Sequence, residues 1–184
     1  MRLLPETKKQ FAGSILVSLS ILCCIFGYIG WSTGGEVSDI QTPTIRDYSF
    51  FSNEPIPSEL SNMLITSQLK LTWDSEEIYV VIVDEDEKNS CPVEAAFMEG
   101  STPGGSCSST DQDILAGGAA FGPDEGITWE VEQGPHYVGL GSRVDTLSSN
   151  ADVSIGYEVH IRASFALYFI IFLVGIGGAV MWWD

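Results

Sequence analysis

The sequence predicts a membrane-anchored all-β protein, a small antiparallel β-sandwich of jelly-roll-like type held between two transmembrane α-helices. Three observations lead there. Two uncharged apolar stretches, Phe11 to Trp31 and Ser164 to Trp183, bracket the chain. Everything between them is polar, acidic and rich in Gly and Ser. Within that middle part apolar residues recur at every second position, the period of a half-buried strand.

Residues 1–10 read as a cytoplasmic tail, carrying Arg2, Lys8 and Lys9 against Glu6. Residues 11–31 are long enough to cross a hydrocarbon core of about 30 Å as a helix rising roughly 1.5 Å per residue. A cleaved signal peptide has a shorter apolar region, roughly 7–15 residues, and ends in a small-residue site that is missing here. Cys23 and Cys24 follow Ile21 and Leu22, where lipid attachment would call for small residues. The segment therefore reads as a retained anchor. The positive-inside rule then places the N-terminus in the cytoplasm, the middle domain outside, and the C-terminus inside. The expected location is the cell membrane, multi-pass, N-in and C-in, with the central domain extracytoplasmic.

Residues 32–63 read as a linker and first strand, with Ser32 to Pro43 a flexible linker by composition. Residues 64–163 read as the extracytoplasmic sandwich. Leu69, Leu71 and Trp73 alternate with Lys70 and Thr72, and Glu77 to Val83 is a β-branched run suited to a core strand. Ile127, Trp129 and Val131 alternate with polar residues, Gln133-Gly-Pro135 breaks the chain, and Tyr137 to Gly141 returns, which predicts a hairpin. Val153, Ile155, Tyr157, Val159 and Ile161 share one face of a last strand. A short helical turn is expected near Asp111 to Ala116. The stretch from Asp84 to Gly126 is long for a loop and should contain an edge strand. The last strand runs almost directly into residues 164–183, apolar all round and ending in Trp182-Trp183, residues suited to a membrane interface. One leg of the domain is expected taut and the other slack.

The chain carries 25 acidic residues against eight Lys and Arg, a net charge of −17. Only Glu6 and Asp184 of the acids lie outside residues 32–163. Such a surface repels phosphate, so no nucleic acid is expected as partner. Cys91 and Cys107 lie in the outer domain, where disulfides are permitted. Bridging them would close a loop of about 15 residues, stabilising on the order of 3 kcal/mol. No CxxC spacing or nearby His favours a metal instead.

Trp73 and Asp74, the apolar strand ending in Asp84, the run Trp129-Glu-Val-Glu-Gln-Gly-Pro-His-Tyr-Val138 and the closing strand form a recurrent pattern. Over residues 64–162 it resembles the small sandwiches of pre-peptidase C-terminal domains and GOLD-type lumenal domains. Both types carry a Gly-x-Tyr-like step before a core strand, here Gly134 to Tyr137 with two residues between. The chain departs from GOLD cargo receptors in lacking a coiled coil and a sorting tail and in keeping an N-terminal membrane helix. The resemblance implies a non-catalytic sandwich that contacts partners.

No nucleophile elbow, phosphate loop or zinc motif is present, so an enzyme is not expected. His136 and His160 read as ordinary surface residues, His136 in the hairpin turn. No cofactor is expected. Calcium is the one ion the loops invite, at Asp84, Asp86, Asp111 and Asp113, although EF-hand spacing fails from both Asp84 and Asp111. Gly175, Gly178 and Ala179 in one apolar segment, and Gly13, Ser20 and Gly27 in the other, form small-residue patches expected to pack the helices together. The partners expected are the lipid bilayer, crossed twice, and a protein in the membrane or envelope. The favoured function is a membrane-anchored interaction protein contacting an envelope or secretory protein. The alternative is a calcium- or small-ligand-binding, adhesive surface module.

Overall fold

The computed structural model describes residues 8–40, 46, 48–57, 63–90, 106–108, 113–144 and 153–183. Along the chain these form α1 (Lys8–Ile29), β1 (Trp31–Ile40), β2 (Tyr48–Phe51), β3 (Ile65–Trp73), β4 (Ile78–Asp84) and α2 (Glu85–Ser90). There follow β5 (Ser106–Ser108), β6 (Ala116–Gly117), β7 (Ile127–Glu130), β8 (His136–Ser142), β9 (Val153–Ala163) and α3 (Phe165–Trp183). Two compact units result. One comprises Met1–Ser32, Ser61–Ser67 and His160–Asp184, the other Thr33–Leu60 and Gln68–Val159.

The strands make two antiparallel sheets. One has the order β1-β9-β3-β7, the other β5-β2-β8-β4-β6. With β5 set aside, partners are nested in sequence: β1 with β9, β2 with β8, β3 with β7, β4 with β6. That is one long hairpin folded over on itself, the pairing order of a jelly roll. The all-β sandwich expected from the sequence is present in this form.

In the second unit β3 keeps its predicted alternation, with Leu69, Leu71 and Trp73 buried and Gln68 and Lys70 exposed. β4 differs because both of its faces are covered, and Ile78 through Val83 are wholly inaccessible. A strand buried on both sides reads as a continuous apolar run, as Ile-Tyr-Val-Val-Ile-Val does here. Between the sheets, the His136 ring of β8 meets the Trp129 ring of β7 edge-on, centroids 4.8 Å apart. On another part of the five-stranded sheet Phe51, Tyr79, Val81, Val83 and Tyr137 cluster with Ile114 packed against them. Gly139 and Gly141 provide room for that cluster. A Cβ at Gly139 would lie 2.7 Å from the Phe51 ring, and one at Gly141 would overlap Tyr79.

Four expectations change. Residues 31–40 are the strand β1, not a slack linker. Their glycines serve the sheet, since Gly34 approaches the Tyr157 carbonyl and the Tyr157 ring lies over Gly35. An aromatic ring covering a cross-strand glycine restores the packing that glycine lacks. Tyr157 is exposed, although Ile155 and Val159 on either side of it are buried as expected. Second, Trp129 and Tyr137 do not lie on the arms of a hairpin, because β7 and β8 belong to different sheets. The Gln133-Gly-Pro135 break, with Gly134 at φ 125°, carries the chain across the sandwich. Third, residues 113–115 lead into β6 instead of forming a helical turn; Asp111 lies outside the described residues. Fourth, a helix that no apolar period announces, α2, follows β4 at once. The excursion after Asp84 does supply edge strands, and β5 and β6 occupy the two edges of their sheet.

Candidate functional site

α1 and α3 are both long and apolar enough to cross a membrane. Within the first unit they pack antiparallel along a line of small residues. A Cβ at Gly13 would lie 2.5 Å from the Gly178 carbonyl oxygen, and one at Gly178 would lie 2.8 Å from Leu16 Cβ. One turn further on, Gly175 faces Ser20, whose hydroxyl donates to the Leu16 carbonyl at 2.9 Å. At the far end Gly27 faces Ala163 and the Tyr168 ring. Five of the six predicted packing residues, Gly13, Ser20, Gly27, Gly175 and Gly178, thus lie on one seam. Ala179 is exposed. The seam on α3 steps from Gly175 to Gly178, and Ala179 sits about 100° further round, since a helix turns once in 3.6 residues. Such close approach brings backbone atoms of the two helices into dispersion contact along the seam.

Both helices meet their strands through a single residue. Gly30, at φ 73°, ends α1 with its N–H donating to the Phe26 carbonyl at 2.9 Å. A Cβ there would lie 2.5 Å from the Ile161 carbonyl, so the αL cap favours glycine twice over. Ser164 begins α3: its Oγ accepts from the Leu167 N–H at 3.3 Å, as an N-cap hydroxyl does. The same hydroxyl donates to the Met63 carbonyl at 2.6 Å, and the Ser164 N–H donates to the Leu64 carbonyl at 2.9 Å.

Beside these caps stands a polar group that residue counting missed. His160 Nε2 accepts from Arg162 Nε–H at 2.7 Å, and His160 Nδ1 lies 2.7 Å from Ser32 Oγ. An arginine Nε only donates, so Nε2 is the acceptor in that pair. His160 stands between Ser32 and Arg162 and orients the guanidinium. The signal was legible in principle: His160 and Arg162 sit two apart on one strand face. His136 also differs from expectation. It is buried as the first residue of β8, not exposed in a turn.

The acidic corner is a helix start. Asp84 Oδ1 accepts the Glu87 N–H at 2.7 Å, capping α2, and Glu85, Asp86 and Glu87 line its first turn, where carboxylates meet the positive end of the helix dipole. Lys88 closes the corner. Its ammonium donates to the Ser52 carbonyl at 2.8 Å and stands 3.5 Å above the centre of the Tyr137 ring. Partial burial pulls it below its ordinary range, opposed by the neighbouring Glu85 carboxylate. Of the calcium candidates, Asp84 is committed to the cap, while Asp86 and Asp113 are exposed on separate segments. No group of three or more His, Cys, Asp or Glu that could hold a metal occurs among the described residues. Asp111 and Cys91 lie outside those residues, so the Cys91–Cys107 pair does too. Cys23 and Cys24, on α1, are free thiols.

No family model and no curated protein matches the chain. Among solved structures it is similar to that of tomato aspermy virus, determined by X-ray crystallography, at 17% identity over 72% of this chain and 77% of that one. The TM-score is 0.38, a likeness too slight to carry any argument about fold or function.

Proposed function

We propose that this chain is a non-catalytic, membrane-anchored interaction protein whose acidic β-sandwich contacts another envelope or secretory protein outside the cytoplasm. In this reading α1 and α3 cross the bilayer as a hairpin, with both termini in the cytoplasm where Lys8 and Lys9 lie. The observation that carries it is the seam of Gly13, Ser20, Gly27, Gly175 and Gly178. Two apolar helices joined by backbone contact, with Phe26, Phe169, Phe172 and Val180 exposed outward, suit lipid on their outer faces and leave the other unit to meet proteins. The resemblance of residues 64–162 to pre-peptidase C-terminal and GOLD-type modules also implies contact without catalysis.

Purification of the chain from its native membrane in mild detergent tests this reading. A stoichiometric protein companion that survives size separation is expected, and loss of that companion when acids of the sandwich surface are neutralised would tie it to the domain. Recovery of the chain alone in several mild detergents would count against the proposal. A rise of several degrees in melting temperature on adding calcium, reversed by EDTA, would instead favour the ligand-binding module.

A further inference from the structure

We infer that the turn at Met63 and Leu64 is a third membrane contact, lying in the interfacial layer of the bilayer beside the start of α3. This inference rests on the reading that α3 spans the membrane. α3 has 19 residues, which at roughly 1.5 Å each reach about 28 Å, nearly the whole of a hydrocarbon core of about 30 Å. Its cap, Ser164, must then stand at the border between hydrocarbon and headgroups. Two hydrogen bonds from that one residue hold the Met63 and Leu64 carbonyls, so the turn sits at the same depth.

The side chains there suit that layer and not water. Met63 is 75% exposed and Leu64 40%, and three other large apolar residues at this end of the unit are as open as Met63: Tyr28 81%, Trp31 73%, Phe165 86%. They come from three separated pieces of chain, yet each lies next to a strand–helix junction or is bonded to one. Aromatic residues at the edge of a span favour the headgroup level, where an apolar ring and a polar tip are both satisfied. Charge agrees. Residues 60–69, Leu-Ser-Asn-Met-Leu-Ile-Thr-Ser-Gln-Leu, carry no ionisable side chain in a chain that is 18% charged. No carboxylate in this stretch repels anionic lipid. Arg162, aimed by His160, supplies a cation at the same end. The occupant is the lipid interface itself, continuous with the surface that the helices already present.

Depth-dependent quenching tests the inference on the full chain in phosphatidylcholine nanodiscs. A fluorescent amino acid is placed at position 63, at position 172 midway along α3, or at position 128 on an exposed site of β7. Nitroxide lipids labelled near the headgroup or deep in the acyl chain serve as quenchers. Position 63 is expected to emit to the blue of position 128 and to be quenched several-fold more, chiefly by the shallow label. Position 172 should respond to the deep label. If position 63 behaves as position 128 does while position 172 is quenched, the third contact is wrong and the spans stand. If position 172 also escapes quenching, the spanning reading itself fails.

Discussion

Glycine works in opposite ways in the helix pair and in the five-stranded sheet. Between α1 and α3 it removes side chains so that backbones touch, Gly13 against the carbonyl of Gly178. Under β8 it removes side chains so that rings can occupy the space, Phe51 over Gly139 and Tyr79 over Gly141. The difference follows from the solvent proposed for each region. In lipid, burying an apolar side chain against another helix gains little, so dispersion between close backbones decides. In water, each aromatic ring removed from solvent stabilises by several times what a backbone contact can, so the glycine yields its place to the ring.

The largest effect should come from filling the sheet. Gly141→Val would drive a branched side chain into Tyr79, which is completely buried and has nowhere to move. A loss of about 3 kcal/mol or more is expected, as for severe overpacking, read from the denaturant midpoint of the β signal. Pairing Gly141→Ala with Tyr79→Leu should cost less than the two changes summed. Additive costs would show that the ring does not rest on that glycine.

Filling the helix seam should cost less. Gly178→Leu is expected to lose about 1–3 kcal/mol in resistance to unfolding in detergent, because backbone atoms of α1 stand in its way. Gly177→Leu, one residue away with nothing within 4 Å, should be neutral. Equal effects at the two positions would dissolve the contrast between the seam and the open face of α3.

A smaller change should follow at the acidic corner. Asp84→Ala removes the cap of α2 and is expected to cost about 1 kcal/mol, while Asp84→Asn retains an acceptor and most of the stability. A melting temperature that depends on calcium in the native chain and not in Asp84→Asn would show the carboxylate to be a ligand after all.

The smallest effect concerns Lys88. Burial holds its ammonium below the ordinary 10.5, so above that lowered value the unfolded chain binds the proton more tightly than the folded one. Stability should therefore rise slightly as pH climbs through the lowered value, level off above 10.5, and be lost again as pH falls. Lys88→Met should abolish the slope, as followed by unfolding midpoints across alkaline pH. Because the side chain is partly exposed, solvent screens most of the effect.

Much of this architecture can be read from residue order, because period and length are local properties. The alternation in Leu69, Leu71 and Trp73, the unbroken run before Asp84 and the two apolar spans all describe neighbours along the chain. What eluded reading is set by neighbours across it. Ser32 to Ile40 has the composition of a linker and becomes a strand because β9 offers it hydrogen-bonding partners and Tyr157 covers its glycines. The Gly134-Pro135 step looks like a hairpin turn, yet only the rest of the fold decides whether a break returns the chain to its own sheet or to the opposite one. At Asp84 the sequence carried both readings, four successive acids and an acceptor three residues before Glu87. The carboxylates drew attention to cations, although the same spacing is that of a capped helix. Ala179 failed by a single position, since Gly175–Ala179 and Gly175–Gly178 are both natural steps along a helix and only the partner chooses.

The nested pairing has a consequence for synthesis. A chain made from its N-terminus delivers α1 first and α3 last, so the first element made is the last to find its partner. β4 and β6, the innermost pair, lie closest in sequence and can join earliest. β1 must remain unpaired until Val153–Ala163 has been made. Pairing thus closes from the middle outward, with the slow, long-range contacts completed only near the end of translation. During that interval the Gly13 seam of α1 has no partner helix.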